Sequence, residues 1–131
     1  MNAPNPHLHK VQLQSKDYKD NVTPFWCAGC GDHGVLTSLL RALSELGVDP
    51  NYLVNISGIG CSSRLPYFVK SYKMHTLHGR AGAVATGTQL ARPDLAVVVS
   101  GGDGDGFSIG GGHMPHLARK NVNMKIGRAH V

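Results

Sequence analysis

"LAVVVSGGDGDGFSIGGGH", residues 95–113, runs an apolar, β-branched stretch straight into glycines interleaved with two aspartates. A short apolar run with no polar alternation reads as a strand buried on both faces, the kind found inside parallel sheets. The segment that follows holds seven glycines in twelve residues (101–112), more than a turn needs, so a ligand is expected to approach the backbone there. The common phosphate loops do not fit. No Gly-Lys-Ser/Thr follows a glycine loop, and counting G-x-G-x-x-G from Gly102 or Gly104 ends on Phe107 or Ile109. A diphosphate beside Asp103 would be repelled unless a divalent cation lay between them, so the composition suggests Mg²⁺ bridging carboxylate to phosphate. The plainer alternative is a glycine-rich turn in which Asp103 or Asp105 caps the next helix.

Outward from this loop, the chain alternates strand and helix. Upstream, Val35, Leu36, Leu39, Leu40, Leu43 and Leu46 recur at helical spacing, with Asp32 as the expected N-cap, Gly47 as the C-cap and Pro50 beyond. "NYLVNIS" (51–57) reads as a strand that leaves through the glycine-rich loop "GIGCSSRLP". "GRAGAVATGTQLA" (79–91) reads as a helix whose small residues permit close packing, and residues 110–121 as a further helix with Pro115 in its first turn. This order predicts an α/β fold with a doubly wound parallel sheet, whose ligands bind beyond the carboxyl ends of the strands. Both glycine-rich loops sit at such ends.

The 131 residues suit one domain with a modest core. Residues 1–22, with two prolines in the first six positions and no sustained periodicity, read as an extended N-terminal arm, His7 and His9 being solvated arm residues. Residues 23–124 form the domain. The last seven residues, "KIGRAHV", can be back-translated as AAG ATC GGA AGA GCA CAC GTC, which matches a common short-read sequencing adapter; 125–131 are therefore read as foreign, and the domain as cut near Met124, the plainer alternative being a genuine polar tail.

Thirteen basic residues against 8 acidic give a formal charge of +5, or +3 without Lys125 and Arg128. The bases are dispersed, unlike a nucleic-acid-binding arm. No apolar run approaches a membrane span and no signal segment opens the chain, so a cytoplasmic protein is expected. Three cysteines in such a chain do not make a closed disulfide set. Cys27-x-x-Cys30 with Cys61 suits a zinc site completed by His33, His75 or His78, an iron–sulfur cluster short of one ligand, a redox dithiol, or buried inert thiols.

Four segments in this order, "FWCAGCGDHGVLTSLLRAL", "SGIGCSSRLPYF", "HTLHGRAGAVATG" and "GGDGDGFSIGGGH", resemble the β subunit of 2-oxoacid:ferredoxin oxidoreductases, most closely the 2-oxoglutarate type, across about residues 23–124. The resemblance implies a thiamine diphosphate-binding fold, truncated at its C-terminus. It also implies three cofactors: thiamine diphosphate, Mg²⁺ and a [4Fe–4S] cluster. Asp103 becomes a Mg²⁺ ligand, while Gly102, Gly104 and Asp105 line the diphosphate end. Cys27, Cys30 and Cys61 hold the cluster, and Ser62, Ser63 and His78 lie near the cofactor. Arg64, and with it Arg80, is the candidate for a substrate carboxylate, which a planar guanidinium pairs bidentately; their plainer role is surface ion pairing. The implied partners are an α subunit, ferredoxin, coenzyme A and a 2-oxoacid, with neither nucleic acid nor membrane.

The same resemblance exposes a departure. The family's second metal-binding stretch, an asparagine-bearing strand end, falls at or beyond the suspect tail, and no fourth cysteine is present. The 131-residue chain alone is expected to bind thiamine diphosphate poorly and to be inactive. Two other readings stay open: a non-redox thiamine diphosphate decarboxylase, which keeps Asp103 but has no use for three cysteines, and a zinc-stabilised binding module.

Overall fold

A computed structural model describes residues 9–128 of the chain; His7 and the rest of the first eight residues, and residues 129–131, lie outside the described part. Four strands, β1 (Leu53–Ser57), β2 (Tyr72–His75), β3 (Ala96–Gly101) and β4 (Lys125–Arg128), form one sheet in the order β2-β1-β3-β4. All three pairings are parallel, with Val54 opposite Tyr72, Val54 opposite Val97, and Val98 opposite Lys125. Parallel strands need crossovers, and those connections fall on both faces. Helix α1 (Asp32–Leu46) and a 3₁₀ segment, Ser62–Phe68, cover one face, where Leu36, Leu43, Leu53, Leu65 and Phe68 share a core. Helix α2 (Ala81–Ala91) covers the other, setting Ala81 and Ala85 against Val54, Ile56, Val97 and Val99. The sheet is doubly wound, as expected.

The small residues of α2 act as predicted. A Cβ on Gly82 would lie 2.6 Å from Leu117 of helix α3 (Met114–Lys120), so glycine is what lets these helices meet. Gly47 ends α1 in the left-handed conformation at φ 65°. The start of α1 differs from expectation. Gly31 is the N-cap, and Asp32 is the first helical residue, wholly buried rather than capping. The turn through Cys30 and Gly31 causes this, because their carbonyls already accept the amides of His33, Gly34 and Val35.

Two further differences bear on function. The helix expected over 110–121 is preceded by a π-turn, Gly104–Ile109, and a 3₁₀ turn, Gly111–His113, and becomes α-helical only from Met114, with Pro115 in its first turn. Strand β2 was not anticipated, since all four of its residues are exposed and show no apolar run.

The described part of the arm, residues 9–22, docks on the domain and includes a 3₁₀ turn, Ser15–Tyr18. Tyr18 is fully buried and donates its hydroxyl to the Val48 carbonyl at 2.6 Å, while Lys10 and Lys19 form antiparallel bridges to Val48 and Val69. Residues 125–128 form β4 through backbone pairing to β3, a bond type open to almost any side chain. No helix among the described residues is long and apolar enough to cross a membrane.

Candidate functional site

Strand order reverses at β1, which has β2 on one side and β3 on the other. The segments leaving β1 and β3 depart to opposite faces, opening a crevice at their carboxyl ends. The β1 exit carries Gly58–Ser63 and the β3 exit Gly102–Gly110. Their approach is close: a Cβ on Gly102 would lie 3.9 Å from Ser62 Oγ.

The two aspartates of "GGDGDG" do different things. Asp103, at the start of the π-turn, is exposed, and its side chain has no hydrogen-bond partner among the described residues. It sits between Gly102 and Gly104, around which an added Cβ would meet at most that distant Ser62 hydroxyl. An open acidic side chain beside bare backbone suits a cation bridging to a phosphate oxygen. Asp105 is 3% exposed and turned inward. Its Oδ1 accepts the amides of Ile59 at 3.0 Å and Gly79 at 2.7 Å and lies 2.6 Å from His78 Nδ1. Burial pushes this carboxyl up, but the Ile59 and Gly79 amides and His78 outweigh it and hold it below the usual carboxylate range. Asp105 thus braces the glycine-rich loop from within, while Asp103 is left open.

That brace accounts for part of the glycine density. A Cβ on Gly58 would strike both Asp105 carboxylate oxygens, and one on Gly101 would lie 2.9 Å from Oδ2. Gly79, at φ +74°, would meet the Gly110 amide at 2.7 Å. Gly58 and Gly101 admit an internal carboxylate and Gly79 the backbone at Gly110, whereas a Cβ on Gly102 would touch no more than the Ser62 hydroxyl and one on Gly104 would meet nothing.

Of the other predicted residues, Ser62 and Ser63 are buried at the β1 exit, and Ser63 Oγ is a buried hydroxyl without a partner among the described residues. Ser100, buried and likewise unpartnered at the end of β3, was missed because a serine inside an apolar run gives no signal of its own. Neither arginine is ion-paired among the described residues. Arg64 lies over the Phe25 ring at 5.2 Å, and Arg80 Nη1 donates to Ile109 O at 3.3 Å, tying the second exit loop to the third. Both are exposed.

The cysteines are less organised. Cys27 and Cys61 are exposed; Cys30 is half-buried, with Sγ 3.5 Å from Asp32 Oδ2. Trp26 joins their two loops by donating Nε1–H to the Cys61 carbonyl at 2.7 Å. Among the described residues, no three His, Cys, Asp or Glu side chains form a group able to hold a metal ion. The histidines suggested as zinc ligands are engaged elsewhere: His33 edge-on to Trp26, His75 against Tyr67 and Ser57, and His78 on Asp105.

Comparison with known proteins agrees with the crevice. The model of the thiamine pyrophosphate enzyme, C-terminal TPP binding domain, matches residues 58–127. The 2-oxoacid:ferredoxin oxidoreductase 2 subunit beta of Aeropyrum pernix is 54% identical over 110 residues, 84% of this chain and 36% of that protein. The 2-oxoglutarate oxidoreductase subunit KorB of Mycobacterium tuberculosis is 50% identical over 113 residues, 86% of this chain and 30% of its own length. A solved structure of the 2-oxoglutarate:ferredoxin oxidoreductase from Magnetococcus marinus, with 2-oxoglutarate, coenzyme A and succinyl-CoA bound, is 67% identical. It superimposes with a TM-score of 0.89 over 92% of this chain and 42% of that one. The chain thus spans about a third of the length of the curated relatives it matches. It belongs to the thiamine pyrophosphate enzyme family and, within it, groups with the β subunits of the 2-oxoacid:ferredoxin oxidoreductases, as its four motifs implied.

Proposed function

We propose that this chain is the diphosphate-binding portion of the β subunit of an enzyme that oxidatively decarboxylates 2-oxoglutarate with coenzyme A to an acyl-CoA and CO₂, passing electrons to ferredoxin. The observation that carries the reading is exposed Asp103 between open-faced Gly102 and Gly104, at the strand ends of a chain so similar to such subunits. Thiamine diphosphate, when bound, supplies the electron sink for loss of CO₂. The residues present fit its diphosphate end. Asp103 would hold Mg²⁺, Gly102 and Gly104 would admit phosphate oxygens, and the unpartnered Ser63 hydroxyl, with Ser62 and His78, would supply polar contacts. Arg64 and Arg80, free of carboxylate partners among the described residues, would receive substrate carboxylates.

Among the described residues, the cysteines as placed do not fit a cluster site. Cys27, Cys30 and Cys61 are assigned to a [4Fe–4S] cluster by the resemblance alone. Unpaired thiols suit a reducing, cytoplasmic setting. The α subunit would complete the cofactor site. Residues 125–131 we propose to be adapter-derived.

Long-read sequencing of the source DNA across the codons after Met124 comes first. The expected frame continues into an asparagine-bearing strand end and a later cysteine; a stop after Val131 would favour a binding or vestigial role. The complete subunit, co-expressed with its α partner, should then reduce ferredoxin in a reaction requiring 2-oxoglutarate and coenzyme A, and lose this with Asp103→Ala. CO₂ release without ferredoxin reduction would identify the non-redox decarboxylase. Stoichiometric zinc in place of iron and sulfide would identify the binding module.

A further inference from the structure

One buried side chain joins three separate loops of the crevice. Ile59 belongs to the exit of β1, His78 and Gly79 to the exit of β2, and Asp105 to the exit of β3; all meet at Asp105 Oδ1. An ionised carboxylate only accepts, and amides only donate, so the two backbone contacts have one possible polarity. The third contact follows the same logic. A nitrogen 2.6 Å from a carboxylate oxygen that accepts from two amides must carry a proton, or two lone pairs would face each other. His78 Nδ1 is therefore the donor. Its side chain is 45% exposed, and Nε2 has no partner among the described residues.

We infer that Asp105 is the positioning residue of the crevice: its carboxylate locks the exits of β1, β2 and β3 and holds His78 with a proton on Nδ1, so that Nε2 is the nitrogen offered to a ligand. The neutral imidazole then presents Nε2 as an acceptor, and presents a donor there only when doubly protonated. The packing supports a single arrangement. Gly58 and Gly101 leave no space for a side chain beside the carboxylate, and the Gly110 amide closes the turn by donating to the Asp105 carbonyl at 3.0 Å. The consequence for catalysis rests on the thiamine diphosphate reading. The tie and the tautomer do not.

The test is long-range ¹H–¹⁵N NMR of the uniformly labelled complete β subunit at pH 8, together with amide hydrogen exchange. The expected result is a protonated Nδ1 on His78 and slow exchange at Ile59 and Gly79. A His78 ring protonated on Nε2 and bare at Nδ1 would overturn the inference. Asp105→Asn removes the charge at nearly constant shape. It should erase the Nδ1 preference and speed exchange at both amides by about tenfold or more, as loss of a hydrogen bond to a charged acceptor implies. An Asn variant that folds and leaves both unchanged also overturns it. If that variant fails to fold, the wild-type tautomer decides. His78→Gln should leave the protection of Ile59 and Gly79 in place, separating the backbone tie from the ring contact. Addition of thiamine diphosphate with Mg²⁺ tests the other reading independently. Unmoved signals at Gly102–Gly104 in the complete complex would count against the cofactor and leave the Asp105 tie standing.

Discussion

The crevice at the strand ends and the loops bearing the cysteines lie on the same rim of the sheet, yet they are built in opposite ways. In the crevice, the exits of three strands converge on the buried carboxylate of Asp105, and the surrounding glycines are shaped to it. At the cysteines, two exposed thiols and one half-buried thiol sit on loops joined by the Trp26 indole donating to the Cys61 carbonyl and by packing of Phe25 and Trp26 on Phe68, and none of these contacts gathers the thiols themselves. A carboxylate satisfied by donors from three loops holds those loops together without a ligand. A site whose thiols are unpaired depends on its ligand, or on more chain, to gather them.

Glycine substitutions break this comparison most sharply. Gly58→Ala drives a methyl into the Asp105 carboxylate, with fixed backbone on one side and three hydrogen bonds on the other. The expected cost is about 3 kcal/mol, at the upper end for overpacking, seen as a fall in Tm of roughly 10 °C. Gly104→Ala, whose methyl meets nothing within 4 Å, should stay within about 0.5 kcal/mol of wild type. In the complete enzyme the same change should weaken Mg²⁺–thiamine diphosphate binding, measured by calorimetry. Equal destabilisation by both substitutions would dissolve the distinction between glycines that admit a carboxylate and glycines that face a ligand.

The cysteine side is probed by Trp26→Phe. The ring stays apolar, but the Cys61 carbonyl loses its donor, so a loss of about 1 kcal/mol is expected by thermal melting. Thiol titration sharpens the same point. Cys27 and Cys61 should react quickly with an aromatic disulfide reagent and Cys30 more slowly, with Trp26→Phe narrowing the gap. Three equal rates in the native chain would mean that the loops are not ordered as described.

The parts of this architecture that were legible in the sequence are those with one dominant local cause. The apolar run 95–99, the leucine spacing of α1 and the left-handed Gly47 each follow from burial or backbone freedom within a few residues. Strand β2 was illegible because both its faces are exposed, so pairing with β1 defines it and side-chain pattern does not. The roles of Asp103 and Asp105 could not be separated either. They share a residue type, lie two positions apart and have glycine neighbours; only the arrival of Ile59 and Gly79 from distant segments makes one a brace and leaves the other open. The glycines of "SGIG" and "HGR" were the available signal, since glycines recurring at several strand exits imply close backbone approach. That signal does not say whether the approaching group is internal.

The smallest expected effect concerns the edge of the crevice, where His75 ends β2. Its Nδ1 lies 2.8 Å from the buried hydroxyl of Ser57 and its ring stacks on Tyr67 at 4.5 Å. Burial, aided by the nearby positive charge of Lys73, holds this imidazole below the ordinary histidine range. The unfolded chain then binds the proton more readily than the folded one, so stability rises with pH through the interval between the two values. The contribution of neutral His75 is complete above about pH 6.5 and is lost as pH falls through the lower, folded value. His75→Gln keeps a polar partner for Ser57 without titrating. Melting curves from pH 7.5 down to 5 should therefore fall less steeply for the variant, by a few tenths of a kcal/mol in total. Because Asp105 titrates well below this interval and is untouched by the substitution, a parallel decline in both proteins would place the pH sensitivity elsewhere than on the β2 edge.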